Sequence, residues 1–111
     1  MAFRQLDIYT DSKNICLPIA LLRLSPDALA ERFGISFVDE CDDLDRYKGA
    51  LIESDSGRRF GLVCYLHAPV HGVAVWANEH SKDLVAELAD FKSALPIDPT
   101  DYLSVHPDAQ A

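Results

Sequence analysis

Two strand-like runs separated by only three residues constrain this chain most. Residues 47–54, YKGALIES, and 58–67, RRFGLVCYLH, flank Asp55-Ser56-Gly57. The first run is apolar at Ala50, Leu51 and Ile52. The second alternates Phe60, Leu62, Cys64 and Leu66 against Val63, Tyr65 and His67. Asp and Ser favour tight turns, and Gly57 can take a positive φ without a Cβ penalty. So short a connection forces the runs antiparallel, so the sequence predicts a hairpin. A third run, 73–77, VAVWA, follows the connection His67–Gly72 and extends the hairpin into a meander.

Helices are signalled on either side of these runs. In Ser25-Pro26-Asp27, Ser25 can cap, Pro26 suits the first helical position and Asp27 favours the positive end of the dipole. Leu24 and Leu29 stand at staple positions, Leu29 and Phe33 share a face, and Gly34 can close the helix. A second helix, about 82–95, is expected behind Ser81, with Leu84, Leu88, Phe91 and Leu95 as its apolar stripe. Asp83 and Lys92 match its dipole, and Pro96 ends it. The flanks carry weaker signals. Residues 3–9 suit an edge strand, 11–14 a turn, 35–38 a short strand, and 102–105 a short strand or a 3₁₀ turn. Residues 15–24 fit either a strand interrupted by Pro18 or a short buried helix, and periodicity does not decide between them. The last five residues read as a frayed end.

The expected fold is therefore one α+β domain over residues 1–111. It has an antiparallel meander of three to five strands, with a short helix at about 26–33 and an amphipathic one at about 82–95 packed on it. Alternation assigns the faces. Phe60, Leu62, Cys64 and Leu66, with Val73, Val75 and Ala77, should lie under the amphipathic helix. The other face carries Val63, Tyr65, Ala74 and Trp76, with His67 at its edge, and is too apolar to face water alone. Either residues 15–33 fold over it or another chain does.

Charge narrows the partners. Lysine and arginine total 10 against 18 acids, a formal charge of −8. A nucleic-acid backbone would be repelled. Five of the seven residues 39–45 are acids: Asp39, Glu40, Asp42, Asp43 and Asp45. The longest apolar stretch, Ile15–Leu22, is too short for a membrane span. The start, Met1 to Asp7, has no apolar run of the signal-peptide kind. Three cysteines, Cys16, Cys41 and Cys64, without paired spacing argue against a disulfide framework and fit a reducing cytoplasm.

Chemical motifs are sparse. Cys64, His67 and His71 have zinc-like spacing, but a strand sends Cys64 and His67 to opposite faces. Read as a calcium loop from Asp39, the acidic stretch places Leu44 where a glycine is needed and Ala50 where a glutamate is needed. There is no nucleophile elbow, and the glycines are scattered rather than grouped into a phosphate-binding loop, so no cofactor is expected. Arg58-Arg59 could hold an anion or simply solvate a strand end. The leading expectation is a non-enzymatic protein-binding module, in the form of an immunity- or antitoxin-type inhibitor. It would cover a basic or active-site surface of a partner protein. The acids Asp39, Glu40, Asp42, Asp43 and Asp45 would steer, and Tyr65, His67 and Trp76 would make contact. The alternatives are a small enzyme or metal-binding protein using Cys64, His67 and His71, and a homo-oligomer joined through the second sheet face.

Overall fold

The three-residue connection forms the turn that its composition demands. Ser54 N donates to Arg58 O at 2.8 Å and Gly57 N donates to Ser54 O at 2.9 Å. Gly57 sits at φ 90°, where a side chain would be strained. The computed structural model describes residues 2–43, 45–69 and 71–110. In chain order its elements are β1 (Phe3–Leu6), α1 (Ile8–Asp11), β2 (Ile15–Leu22), α2 (Pro26–Phe33), β3 (Val38–Cys41), β4 (Arg46–Ser54), β5 (Arg59–Tyr65), β6 (Val73–Asn78), α3 (Leu84–Ala94) and β7 (Tyr102–Val105). Short 3₁₀ turns lie at Pro99–Asp101 and Pro107–Ala109.

The result is an α+β domain in which, among the described residues, seven strands form one antiparallel sheet: six run in the order β1-β4-β5-β6-β2-β7, and β3 pairs with β4 off that path. The expected meander β4-β5-β6 is its centre. One edge of β4 pairs with β5, and the other is shared. Residues 46–49 take β3 and residues 51–54 take β1. The strand count exceeds the expected three to five because the weaker runs around 3–9, 15–24, 35–38 and 102–105 all supply strands, β1, β2, β3 and β7.

Several local expectations need correction. The N-terminal strand stops at Leu6, and Asp7 caps a single helical turn by accepting from Tyr9 N at 2.8 Å. Residues 15–24 resolve as the strand β2, between β6 and β7. Pro18 is tolerated because β7 pairs only with Ala20–Leu22 and the β6 register shifts beside it. The strand expected at 35–38 forms instead at Val38–Cys41 and takes in the first half of the acidic stretch. Ser36 lies before β3 begins and is held by a side chain of β1. Its N–H donates to Gln5 Oε1 at 2.9 Å and its carbonyl accepts from Gln5 Nε2 at 2.5 Å. β5 ends at Tyr65, so Leu66 is exposed and does not join the helix-side face. α3 is capped by Asp83, which accepts from Ala86 N at 3.0 Å, and not by Ser81. Residues 107–109 dock through the buried Ala109 where the sequence reads as a loose end.

α2 keeps the caps read from the sequence. Ser25 Oγ accepts from Ala28 N at 3.1 Å, and Gly34 closes the helix at φ 71°. Both α2 and α3 serve the same core: Leu29, Leu88 and Phe91 join Phe60, Leu62 and Val75 in one buried cluster. Phe60 and Phe91 meet edge-on at 5.3 Å. Polar contacts fix the helix to the hairpin turn. Ser54 and Ser56 hydroxyls both donate to Asp90 Oδ2 at 2.5 Å, and Arg58 Nε lies 3.5 Å from the buried Glu87. On the other face Ile15, Leu51 and Val63 are buried outside that cluster. Residues 15–33 do not cover this face, since β2 lies in the sheet and α2 on the opposite side. The one-turn helix α1 covers it in part.

Candidate functional site

Hairpin register assembles the second face. Tyr47 lies opposite Tyr65 across β4 and β5, and Gly61 lies opposite Trp76 across β5 and β6. The Tyr47 and Tyr65 rings sit 5.6 Å apart, tilted by 56°, and the Tyr65 and Trp76 rings 6.4 Å apart, tilted by 41°. Gly61 contributes no side chain among them. A Cβ there would come to 3.5 Å from Trp76 Cβ and Ile15 Cγ2.

α1 roofs one end of this aromatic row. Ile8 reaches down to Gly49, where a Cβ would stand only 2.9 Å from its Cδ1. Tyr9 OH donates to Glu40, and Arg59 Nη1 donates to Asp11 O at 3.0 Å. Between roof and sheet lies a cleft of about 120 Å³ lined by Ile8, Asp42, Tyr47, Leu51, Tyr65 and Trp76, among others. Cofactor and drug-sized sites run to about 300–1,000 Å³, and a liquid water occupies about 30 Å³. The cleft therefore has room for one side chain or a few waters.

The acidic stretch becomes a structured rim. Asp42 Oδ2 accepts from Tyr65 OH at 2.6 Å, and Asp42 Oδ1 accepts from Asp45 N at 3.0 Å. Asp42 N in turn donates to Asp45 O at 3.0 Å, which closes the β3–β4 turn. Asp45 accepts from His67 N at 2.6 Å and from Arg46 N at 2.7 Å, and its Oδ1 lies 2.8 Å from His67 Nδ1. The His67 side chain and backbone together hold the Asp45 carboxyl below the usual aspartate range. Burial, then the Asp42 carboxylate, push the Tyr65 phenol up, and burial, then Glu40, push up Tyr47. The bond to Glu40 raises Tyr9. All three phenols therefore stay protonated, and those of Tyr9 and Tyr65 donate to Glu40 and Asp42.

Of the residues singled out in the sequence, the fold gathers Glu40, Asp42, Asp45, Tyr65, His67 and Trp76 around this face. Asp39 does not join them. It pairs across the strand with Lys48, 3.3 Å away, and its side chain is 82% exposed. Alternation sends it to the opposite face from Glu40. Asp43 is exposed near the tip of the turn. Tyr47, Tyr9 and Ile8 went unread. Tyr47 was within reach: counting seven residues outward from Ser54 and from Arg58 pairs it with Tyr65. Tyr9 was not, because its place depends on the docking of α1.

The chemical alternatives find their residues dispersed. Cys64 packs against the helix-side core while His67 is held by Asp45. Among the described residues no group of three His, Cys, Asp or Glu side chains is placed to hold a metal ion. Both arginines of the Arg58-Arg59 pair face carboxylates of this chain. Arg58 faces Glu87, and Arg59 Nε donates to Glu53 at 3.1 Å. Cys16 donates to Glu79 Oε2 at 2.9 Å, a bond that raises its thiol pKa and disfavours the nucleophilic thiolate.

No protein-family model, curated protein or solved structure matches the chain. Among the described residues no helix is long and apolar enough to cross a membrane.

Proposed function

We propose that the chain is a non-enzymatic protein-binding module that covers a basic surface of a partner protein, in the manner of an immunity- or antitoxin-type inhibitor. One observation carries this reading. The sheet face away from the main core presents Tyr47, Tyr65 and Trp76 beside a rim containing Glu40, Asp42 and Asp45. Aromatic anchors ringed by polar groups make up the energetic centre of many interfaces. The formal charge of −8 favours encounter with a basic surface, and rim charges act chiefly on association rate. Three free cysteines fit a cytoplasmic setting.

The test is a kinetic one. The tagged protein is used to isolate a partner, which is then purified and its binding followed in real time. Asp43→Lys changes an exposed acid without disturbing the Asp42–Asp45 turn, and should slow association in low salt. Trp76→Ala should raise the dissociation rate. A partner whose association and dissociation ignore both substitutions, with both variants folded, contradicts the reading.

A further inference from the structure

We infer that the groove between α3 and the edge strand β7 binds a free alkyl carboxylate, a fatty acid of medium chain length. This goes beyond the protein-binding reading and does not rest on it. Size is the first argument. The groove encloses about 530 Å³, and sites for small organic ligands run to about 300–1,000 Å³. Its walls are the second. Val85, Leu88 and Ala89 of α3 face Val105 of β7 and the docked Ala109. β7 ends the sheet, so no further strand closes this side.

Two donors beside these walls select the head group. Lys92 is the only charged side chain among the described residues lining the groove, in a chain of formal charge −8. It enters none of the ion pairs of the described residues. Its ammonium stands over the Tyr102 ring, 5.2 Å from the centre. The Tyr102 hydroxyl is buried and has no hydrogen-bond partner. Burial pushes this phenol up to about 12, so it stays protonated at neutral pH. Buried hydroxyls almost always find a partner, and a carboxylate drawn to Lys92 supplies one. Because the ammonium lies over the ring, its movement toward the anion opens the phenol to the same head group. One carboxylate then accepts from both donors.

Other occupants fit less well. An alkyl amine would meet Lys92 as a like charge. An alcohol would leave the ammonium without a counter-charge. A peptide would lay backbone N–H and C=O groups against walls that give them no partners.

Calorimetric titration and amide shifts in the ¹⁵N-labelled protein test this. Decanoate should bind one to one with a Kd on the order of 100 μM. Shifts should be confined to Val85, Ala89, Lys92, Ser104 and Val105, and Trp76 on the other face should stay unmoved. Full burial of a CH₂ is worth about fourfold in affinity, so from octanoate to decanoate each added CH₂ in this open groove should give at least about twofold. 1-Octanol and octylamine should bind at least about fivefold more weakly than octanoate. Lys92→Met keeps the stem and should weaken decanoate about tenfold. Tyr102→Phe removes a hydroxyl that has no partner in the free protein, so the fold should lose nothing while decanoate binds about threefold more weakly. Ala89 is exposed on α3, so Ala89→Phe should fill the groove and abolish binding with the circular dichroism unchanged.

Four results overturn the inference: no saturable binding of decanoate, 1-octanol binding as tightly as octanoate, shifts spread over the apolar surface at large, or decanoate affinity indifferent to Lys92→Met and Ala89→Phe in folded protein. None of them touches the protein-binding reading, which Asp43→Lys and Trp76→Ala test elsewhere on the molecule.

Discussion

Replacing Leu88 by alanine probes the packing that holds the sheet to α3. Leu88 is 4% exposed and belongs to the cluster that contains Phe60, Leu62 and Phe91. Leu→Ala changes at such sites cost about 2–5 kcal/mol, the spread reflecting how far the neighbours can collapse. Collapse is restricted here. The floor is a hydrogen-bonded sheet, and the helix is pinned at the hairpin turn by Asp90 and Glu87. A loss of about 3 kcal/mol is therefore expected, against a total of about 5–15 kcal/mol for a domain. For a domain near this size, 1 kcal/mol moves the Tm by about 4 °C, so the melt should fall by about 12 °C. Val85 lies on the same helix but is 39% exposed. Val85→Ala should stay within about 0.5 kcal/mol and controls for helix propensity. Thermal melts followed by circular dichroism decide. A Leu88→Ala shift below about 2 °C, or one equal to that of Val85→Ala, would refute the packing described.

The remaining predictions concern the rim, the roof and the helix anchor. Asp45 has its pKa lowered in the fold, so its stabilisation is present above the ordinary aspartate range and is lost as pH falls through the lowered value. Wild-type stability should drop on acidification below about pH 4, and Asp45→Asn should be less stable at neutral pH with a shallower acid slope, as melts between pH 7 and pH 2 would show. Gly49→Ala puts a Cβ against Ile8 and should release α1 while leaving the main core intact. Hydrogen exchange should quicken at residues 8–11 and not in β5, with the Tm changed by less than about 4 °C. Asp90→Ala removes the acceptor shared by Ser54, which is 5% exposed, and Ser56, and should cost about 1–3 kcal/mol in a denaturant titration.

What could be read from the sequence followed from signals repeated along the chain. The hairpin, the α3 stripe and the α2 caps each rest on several residues agreeing, and each is present. The one-turn helix α1 has no period to detect, and Ile8, Tyr9 and Thr10 by composition suit a strand. β2 was ambiguous because Pro18 argues against an inner strand. The short reach of β7 and the shifted β6 register remove the conflict. At α3, Ser81 and Asp83 are both competent caps, and it is the Asp83 carboxylate that accepts from the first turn. In the sequence the acidic stretch is a single run of five acids in seven residues. Its residues instead divide between the two sides of a strand and a turn, so Asp39 and Glu40 face opposite ways although adjacent in sequence. The Tyr65, Trp76 and His67 grouping was legible from alternation alone. The cleft was not, since it exists only where α1 docks on Gly49.

The most direct test of the proposed surface is a map of amide shifts in the ¹⁵N-labelled protein as a short arginine-rich peptide is added at low salt. Shifts that saturate together and centre on Asp42, Tyr47, Gly61, Tyr65 and Trp76, leaving Asp39 and Lys48 on the opposite face unmoved, are the predicted result. Shifts spread evenly over the exposed acids, or centred on Asp39 and the helix side, would contradict it.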